Sequence, residues 1–404
     1  MLEVCLRMWF FHSLLWPNAT LPSLSFSPDP VLGWRTTPNQ VAGKDRLEFR
    51  GIIRINSKGL RDEEHSYEPA PSVFRIVLLG DSFMQGTSVD YQDSLPFLLE
   101  QALADKRVQV INCGVEGYSL VQELLFLKME GTKYHPDLVL VAMYAENDVA
   151  DSALCTAPPE DGETKTVRPY ARRETDGRLV FTEVDVERLQ KELDREHKIY
   201  TPFELLVRSM RRSMTSRVYK LAIGRFRQKL EEKNDNPNLW LGVHAEVFNP
   251  ALCPEVPWSS EEYKRRWEEA WRVTERTLEE IKAVAEGSGS PLAVFSVPSK
   301  LQVESRYLDT VKRRFPGMEF DLLKAERRLQ AICSVRGIPF LGLVETFRDA
   351  AAEGHQLFYQ IDDAHWNAAG HRLAAQETAQ WLRDQTLVRE ARQNGPSSAV
   401  SDPQ

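Results

Sequence analysis

The hydrophobic pattern of this chain changes period several times, and each change marks an element. Phe74 to Leu79, FRIVLL, is almost continuously apolar, as a parallel strand must be when helices cover both faces of its sheet. Val108 to Asn112 reads as the second strand, and Leu138 to Met143, LVLVAM, repeats the apolar signature as the third. Between the strands the apolar positions take helical spacing. Leu95, Leu98, Leu99 and Ala102 predict a helix near Gln92–Ala104, and Leu120, Leu124 and Leu127 predict another over Leu120–Glu130. The alternation lapses from Asp151 to about Trp258 and then returns. Ser259 and Ser260 are N-cap residues for a helix whose Tyr263, Trp267, Trp271, Leu278 and Ile281 form one apolar stripe, read as core. Leu292–Val297 predicts a fourth strand, Leu322–Val335 a helix closed by Gly337, and Ile338–Leu343 a fifth strand, before a last helix that reaches about Leu387.

Strands that alternate with helices, each strand ending in glycine or polar residues, predict an α/β fold: a three-layer, doubly wound parallel sheet of about five strands, in the flavodoxin-like order 2-1-3-4-5. That domain spans 74–388, interrupted by a mainly helical insertion over 151–258. Ahead of it, 1–73 reads as an extended covering segment with a strand-like piece at Leu47–Ile55, and 389–404 reads as a disordered tail. The insertion's main predicted helix, about Phe203–Leu230, carries eight Lys or Arg between 205 and 230 and no acid. A solvated face is the first reading of such a run; contact with a membrane surface or an anionic substrate is the second.

Composition narrows the function classes. With 404 residues and 42% hydrophobic positions there is material for a sizeable core, while a formal charge of -8 lacks the basic footprint of a general nucleic-acid binder. The five cysteines form no C-x-x-C pair and no metal-ligand spacing. Cys155 and Cys253 flank the insertion, and two unrelated thiols are preferred to a bridge between them. Met8–Trp16 is apolar but too short to span a bilayer and poorly flanked for a signal peptide; a truncated anchor stays open and the compartment unknown.

The chemistry gathers at strand ends. Gly80, Asp81 and Ser82 follow the first strand, so the serine falls where a helix begins, outside the carboxyl end of a parallel strand. An ordinary N-cap serine explains that tripeptide equally well. The Gly114–Gly117 turn follows the second strand, Asn147 and Asp148 follow the third, and Asp362 and His365 follow the fifth. In the predicted strand order these loops border one crevice. Serine needs an imidazole base, and the imidazole needs a carboxylate to fix its tautomer. Asp362 and His365 are three apart, a spacing that shares a face at a helix entrance; Asp363 offers a second carboxylate beside the first. The Asn147 amide and the backbone N–H groups of Ser82 and Gly117 are the candidate oxyanion donors.

These blocks, GDS at Gly80–Ser82, Gly117, Asn147–Asp148 and D-x-x-H at Asp362–His365, resemble in order and placement the SGNH or GDSL serine esterases. The resemblance covers about 75–153 and 291–382. It implies Ser82 as nucleophile, Asp362 and His365 as the rest of a triad, Gly117 and Asn147 as oxyanion hole, and no metal or organic cofactor. It also implies a small-molecule or glycan ester as substrate. Ala145 departs from the family's third block, which has a glycine there. Competing motifs fit worse: GDSFMQG lacks the G-x-S-x-G spacing, and His365 and His371 are not the i, i+4 pair of a helical zinc site. His371 reads as a satisfied helix residue. An O-acyltransferase acting on a glycan with the same triad is the alternative to hydrolysis, and a catalytically silent binding domain the alternative from another class.

Overall fold

The computed structural model describes residues 21–45, 48–104, 107–157, 164–196, 261–305, 308–309, 321–360 and 363–388. The described residues begin with two small antiparallel ribbons, β1 (Phe26–Asp29) with β2 (Gly33–Thr36) and β3 (Val41–Asp45) with β4 (Arg50–Arg54). Then come β5 (Phe74–Leu79), the short helix α1 (Ser82–Gln85), α2 (Leu95–Ala102), β6 (Val108–Asn112), α3 (Leu120–Met129), β7 (Leu138–Met143) and α4 (Ala145–Ala150). The described part of the insertion carries β8 (Lys165–Thr166), β9 (Ala171–Arg173), β10 (Leu179–Phe181), β11 (Glu183–Val184) and α5 (Val186–Glu196). The basic segment expected as a helix over 203–230 lies outside the described residues, as do Ser259, Ser260, Cys253, the N-terminal apolar stretch and the tail. After it follow α6 (Glu261–Gly287), β12 (Leu292–Ser296), α7 (Lys300–Val303), α8 (Lys324–Arg336), β13 (Phe340–Leu341), α9 (Val344–Ala352) and α10 (Ala368–Asp384).

The central sheet has five parallel strands in the order β13-β12-β7-β5-β6. Counted in chain order this is the expected 2-1-3-4-5 of a doubly wound α/β sheet. Its crossover reverses between β5 and β7, and that is where a ligand crevice belongs.

Successive side chains of a strand point to opposite faces, and the two cores show it. Val77, Leu79, Val139, Val141, Leu292 and Val294 join one cluster with α3, α6 and α8. Ile76, Leu78, Leu138, Leu140, Ala293 and Phe295 join the other with α2, α9 and α10. All six residues of β5 and all six of β7 are buried. Trp267, Trp271, Leu278 and Ile281 of the predicted stripe are core residues.

The fifth strand is much shorter than Ile338–Leu343. Only Phe340 and Leu341 pair with β12, and the reason is visible at both ends. Pro339 has no N–H to donate, and the N–H of Leu343 turns to the Ser296 hydroxyl at 2.9 Å and to Glu326 at 3.1 Å.

The N-terminal segment does more than cover. Arg61 is 1% exposed, and its guanidinium donates to the carbonyls of Gln85 (3.0 Å), Gly86 and Val89 (2.7 Å). These carbonyls include the unsatisfied ones at the C-terminal end of α1. Burial pushes the Arg61 pKa down to about 10.

Candidate active site

The site grows from the turn between β5 and α1. At Gly80 a Cβ would stand 2.4 Å from Met84 Cγ, so any other residue there would have to displace the buried Met84 side chain. Asp81 caps α1 by accepting from Phe83 N–H at 2.9 Å through Oδ1. Its Oδ2 accepts from Asn147 Nδ2 at 2.8 Å. Asp81 is therefore both a helix cap and the side chain that orients Asn147. Burial raises its pKa to about 6, against the lowering effect of those hydrogen bonds and of His365.

Ser82, half-buried, presents its hydroxyl to the other arm of the site. Ser82 Oγ and His365 Nε2 are 2.8 Å apart across 283 residues of sequence. On the far side of the ring His365 Nδ1 bonds Asp363 Oδ1, which also accepts the His365 backbone N–H at 2.9 Å. The second oxygen, Oδ2, accepts from the Ser88 hydroxyl at 2.9 Å. Burial alone would raise the Asp363 pKa; the ring bond and charge of His365, its backbone N–H and Ser88 outweigh it and hold the carboxyl well below the usual range.

The carboxylate on the ring is thus Asp363. Asp362, expected in that place, lies outside the described residues. The expectation rested on an i, i+3 pair sharing a helix face, but α10 starts only at Ala368, capped by Asn367. The turn before it is not helical, and there an aspartate accepts the N–H two residues on. The signal was present as the second aspartate of the DDAH run.

The histidine turn is secured from below. The Lys300 ammonium, on a residue 6% exposed, donates to the Tyr359 carbonyl and sits 3.5 Å from that of Asp363. Tyr359 in turn donates its hydroxyl to the Ser88 carbonyl. Phe83 packs against the His365 ring at 4.8 Å between centroids. None of Lys300, Ser88 or Phe83 is marked out by the sequence pattern.

Asn147 lies in α4, directly after β7. Ala145, the departure from the family pattern, is the first residue of that helix and has ordinary helical backbone, so no glycine is needed there. Asp148 Oδ2 accepts from the Tyr144 N–H at 2.7 Å, and behind it lies Glu123, 1% exposed. Burial first, and then neighbouring carboxylates, push both acids well above the usual range. Glu146 bonds the Tyr144 hydroxyl and is raised to about 7 by burial.

Gly117 lies in the turn after β6 with φ +77°, a conformation that L side chains rarely adopt. The turn leans on the serine helix through Glu116 N–H, which donates to Gln85 Oε1 at 3.2 Å. His371 is buried in α10 and accepts the Leu95 N–H at 3.2 Å, as a satisfied helix residue does. Among the described residues no cluster of His, Cys, Asp and Glu has the form of a metal site, and no helix is long and apolar enough to cross a membrane.

A family model described as the SGNH hydrolase-like domain of the acetyltransferase AlgX matches residues 258–400. No curated protein matches the chain in sequence. Among solved structures, it is similar to the acetyl xylan esterase AlAXEase, at 8% identity over 76% of this chain and 98% of that one with a TM-score of 0.37. It is also similar to the lipase/acylhydrolase from Enterococcus faecalis, at 13% identity over 79% and 99% with a TM-score of 0.35. A two-domain esterase (CEX) active on acetylated mannans is similar at 11% identity over 81% and 53%, with a TM-score of 0.36. The family match supports the SGNH/GDSL resemblance and takes in Asp363 and His365, while the strand that delivers Ser82 lies ahead of it.

Proposed function

We propose that this chain is a serine esterase that forms an acyl-enzyme on Ser82. The observation that carries the reading is the continuous hydrogen-bonded series from Ser82 Oγ through the His365 ring to Asp363. The cap of α1 is Asp81 and not Ser82, and a serine with only a structural place in the helix has no reason to meet an imidazole whose other nitrogen is held by a buried carboxylate.

The chemistry follows from the atoms. His365 Nε2 accepts the Ser82 proton as Oγ bonds the ester carbonyl carbon, and Asp363 stabilises the imidazolium and fixes which ring nitrogen carries hydrogen. Asn147 Nδ2 has a second hydrogen besides the one given to Asp81, and with the Gly117 N–H it is the donor set for the oxyanion. Collapse of the tetrahedral intermediate expels the alcohol, which takes the proton from His365. Water, deprotonated by the same imidazole, then releases the acid.

A second reading has its own support, since the matching family model is that of an acetyltransferase. In it a glycan hydroxyl replaces water in the second half-reaction, and the residues keep their roles. The test is mass spectrometry of the protein treated with a fluorophosphonate, followed by product analysis with p-nitrophenyl acetate in the presence and absence of an oligosaccharide acceptor. Adduct on Ser82 with free acetate supports the esterase, and acetylated oligosaccharide supports the transferase. No adduct on Ser82 and no p-nitrophenol release would sink both and leave a silent binding domain.

A further inference from the structure

We propose that Trp34 and Arg168 are positioning residues for the oxyanion hole: together they fix the Glu116–Gly117 peptide so that the Gly117 N–H faces the reacting carbonyl. The inference rests on the functional reading above and extends it to two residues outside the motif blocks, one in the N-terminal segment and one in the insertion.

The Trp34 indole N–H donates to the Glu116 carbonyl at 3.0 Å. That carbonyl belongs to the same peptide group whose nitrogen is Gly117 N. The peptide is trans, so its C=O and N–H point in opposite directions, and holding one aims the other. The next carbonyl, that of Gly117, accepts from Arg168 Nη1 at 3.2 Å. Arg168 is itself held by Asp151 at 2.7 Å and lies over the Trp34 ring at 5.0 Å. On the other side, Glu116 N–H is taken by Gln85 of the serine helix. The two carbonyls and the N–H flanking the proposed donor are therefore committed elsewhere, by residues of β2, of α1 and of the loop between β8 and β9.

Glycine at φ +77° has wide conformational freedom, so the turn does not orient itself. Trp34 also limits it sterically, with Cζ2 3.2 Å from where a Gly117 Cβ would stand. Tyr118 holds Trp34 in turn, by donating its hydroxyl to the Trp34 carbonyl at 2.6 Å. A carbonyl that accepts a hydrogen bond polarises its own peptide, which strengthens the N–H as a donor. The effect falls where charge develops, so it acts on kcat more than on KM.

The experiment compares Trp34→Phe with the full-length wild type. Phenylalanine keeps an aromatic ring near Arg168 and Tyr118 but removes the N–H and, with the rest of the indole, the Cζ2 that confines Gly117, so both means by which Trp34 holds the turn are lost together. Active sites are counted by fluorophosphonate labelling of Ser82, and p-nitrophenyl acetate turnover is expressed per labelled site. We expect kcat per site to fall roughly tenfold with KM within about twofold, and the inhibition constant of phenylboronic acid, whose serine adduct is tetrahedral, to rise by a similar factor. Arg168→Gln should show the same signature, smaller, and serves if Trp34→Phe does not fold. Unchanged kcat per site in the folded variants would overturn this inference and leave the esterase reading standing. A wild type that neither labels nor releases p-nitrophenol overturns both.

Discussion

The two arms of the candidate site are built on different principles. The acid–base arm is a series of side chains in one turn: Asp363 and His365 lie two residues apart, and the carboxylate serves the ring and the backbone of the same histidine. The proposed oxyanion arm is a matter of backbone and amide orientation, in which groups from distant parts of the chain take hold: Asp81 on Asn147, and Trp34 and Arg168 around Gly117. A short turn can specify its own hydrogen bonds, whereas the direction of a peptide N–H depends on whatever holds the opposite carbonyl. The first arm should accordingly fail all at once when a member is removed, and the second should fail by degrees.

The largest effect is expected at the proposed nucleophile. Ser82→Ala and His365→Ala should each abolish ester cleavage in a protein that unfolds at the wild-type temperature, and the double variant should be no worse, since the pair acts as one unit. Substantial turnover by purified Ser82→Ala contradicts the assignment.

Next comes the choice of acid. Asp363→Asn should lower kcat by about a thousandfold or more, because an amide at this position favours the wrong tautomer of His365. Asp362→Asn should stay within about threefold of wild type on the same reasoning. Reversal of these two results in steady-state kinetics would return the role to Asp362.

In the oxyanion arm, Asn147→Ala should reduce kcat by roughly a hundredfold with a smaller change in KM, the signature of a donor used mainly in the transition state. A change confined to KM would make Asn147 a ground-state binding residue and erase the contrast between the arms.

The smallest effect concerns stability. Burial raises Glu146 from 4.5 to about 7, so between those values the folded protein retains a proton that the unfolded chain has lost. Stability from this group is complete below about pH 4.5 and is lost as pH rises through about 7. Glu146→Gln cannot titrate. Its stability relative to wild type should therefore improve by roughly 2 kcal/mol between pH 5 and pH 8, read from urea unfolding at both values. Parallel pH profiles for the two proteins would show that Glu146 ionises normally in the fold.

Legibility followed burial and chain distance. The limits of β5, β6 and β7 were readable to the residue: β7 is an unbroken apolar run and β5 nearly one, as strands packed on both faces require, while the shorter apolar core of β6 at the sheet edge ends at Asn112. The fifth strand was overextended, since an apolar run at a sheet edge does not reveal that Pro339 lacks a donor or that Leu343 prefers a serine hydroxyl. Ser82, Gly117, Asn147 and His365 were nominated from their positions after strands. The structure brings Ser82 to His365 and Asn147 to Asp81, and leans the Gly117 turn on the serine helix.

By itself the sequence determined the α/β layering, the strand order to expect, and the residue types gathered at the strand ends, because periodicity and glycine placement are local properties. That Asp363 bonds the imidazole goes with the non-helical course of 363–367, a turn held by Lys300, Tyr359 and Ser88. The roles of Trp34, Arg61 and Arg168 were decided only in three dimensions. Their partners lie 82, 24 to 28 and 51 residues away. A donor and an acceptor so far apart leave no spacing in the sequence, and only the folded sheet brings them within hydrogen-bonding distance.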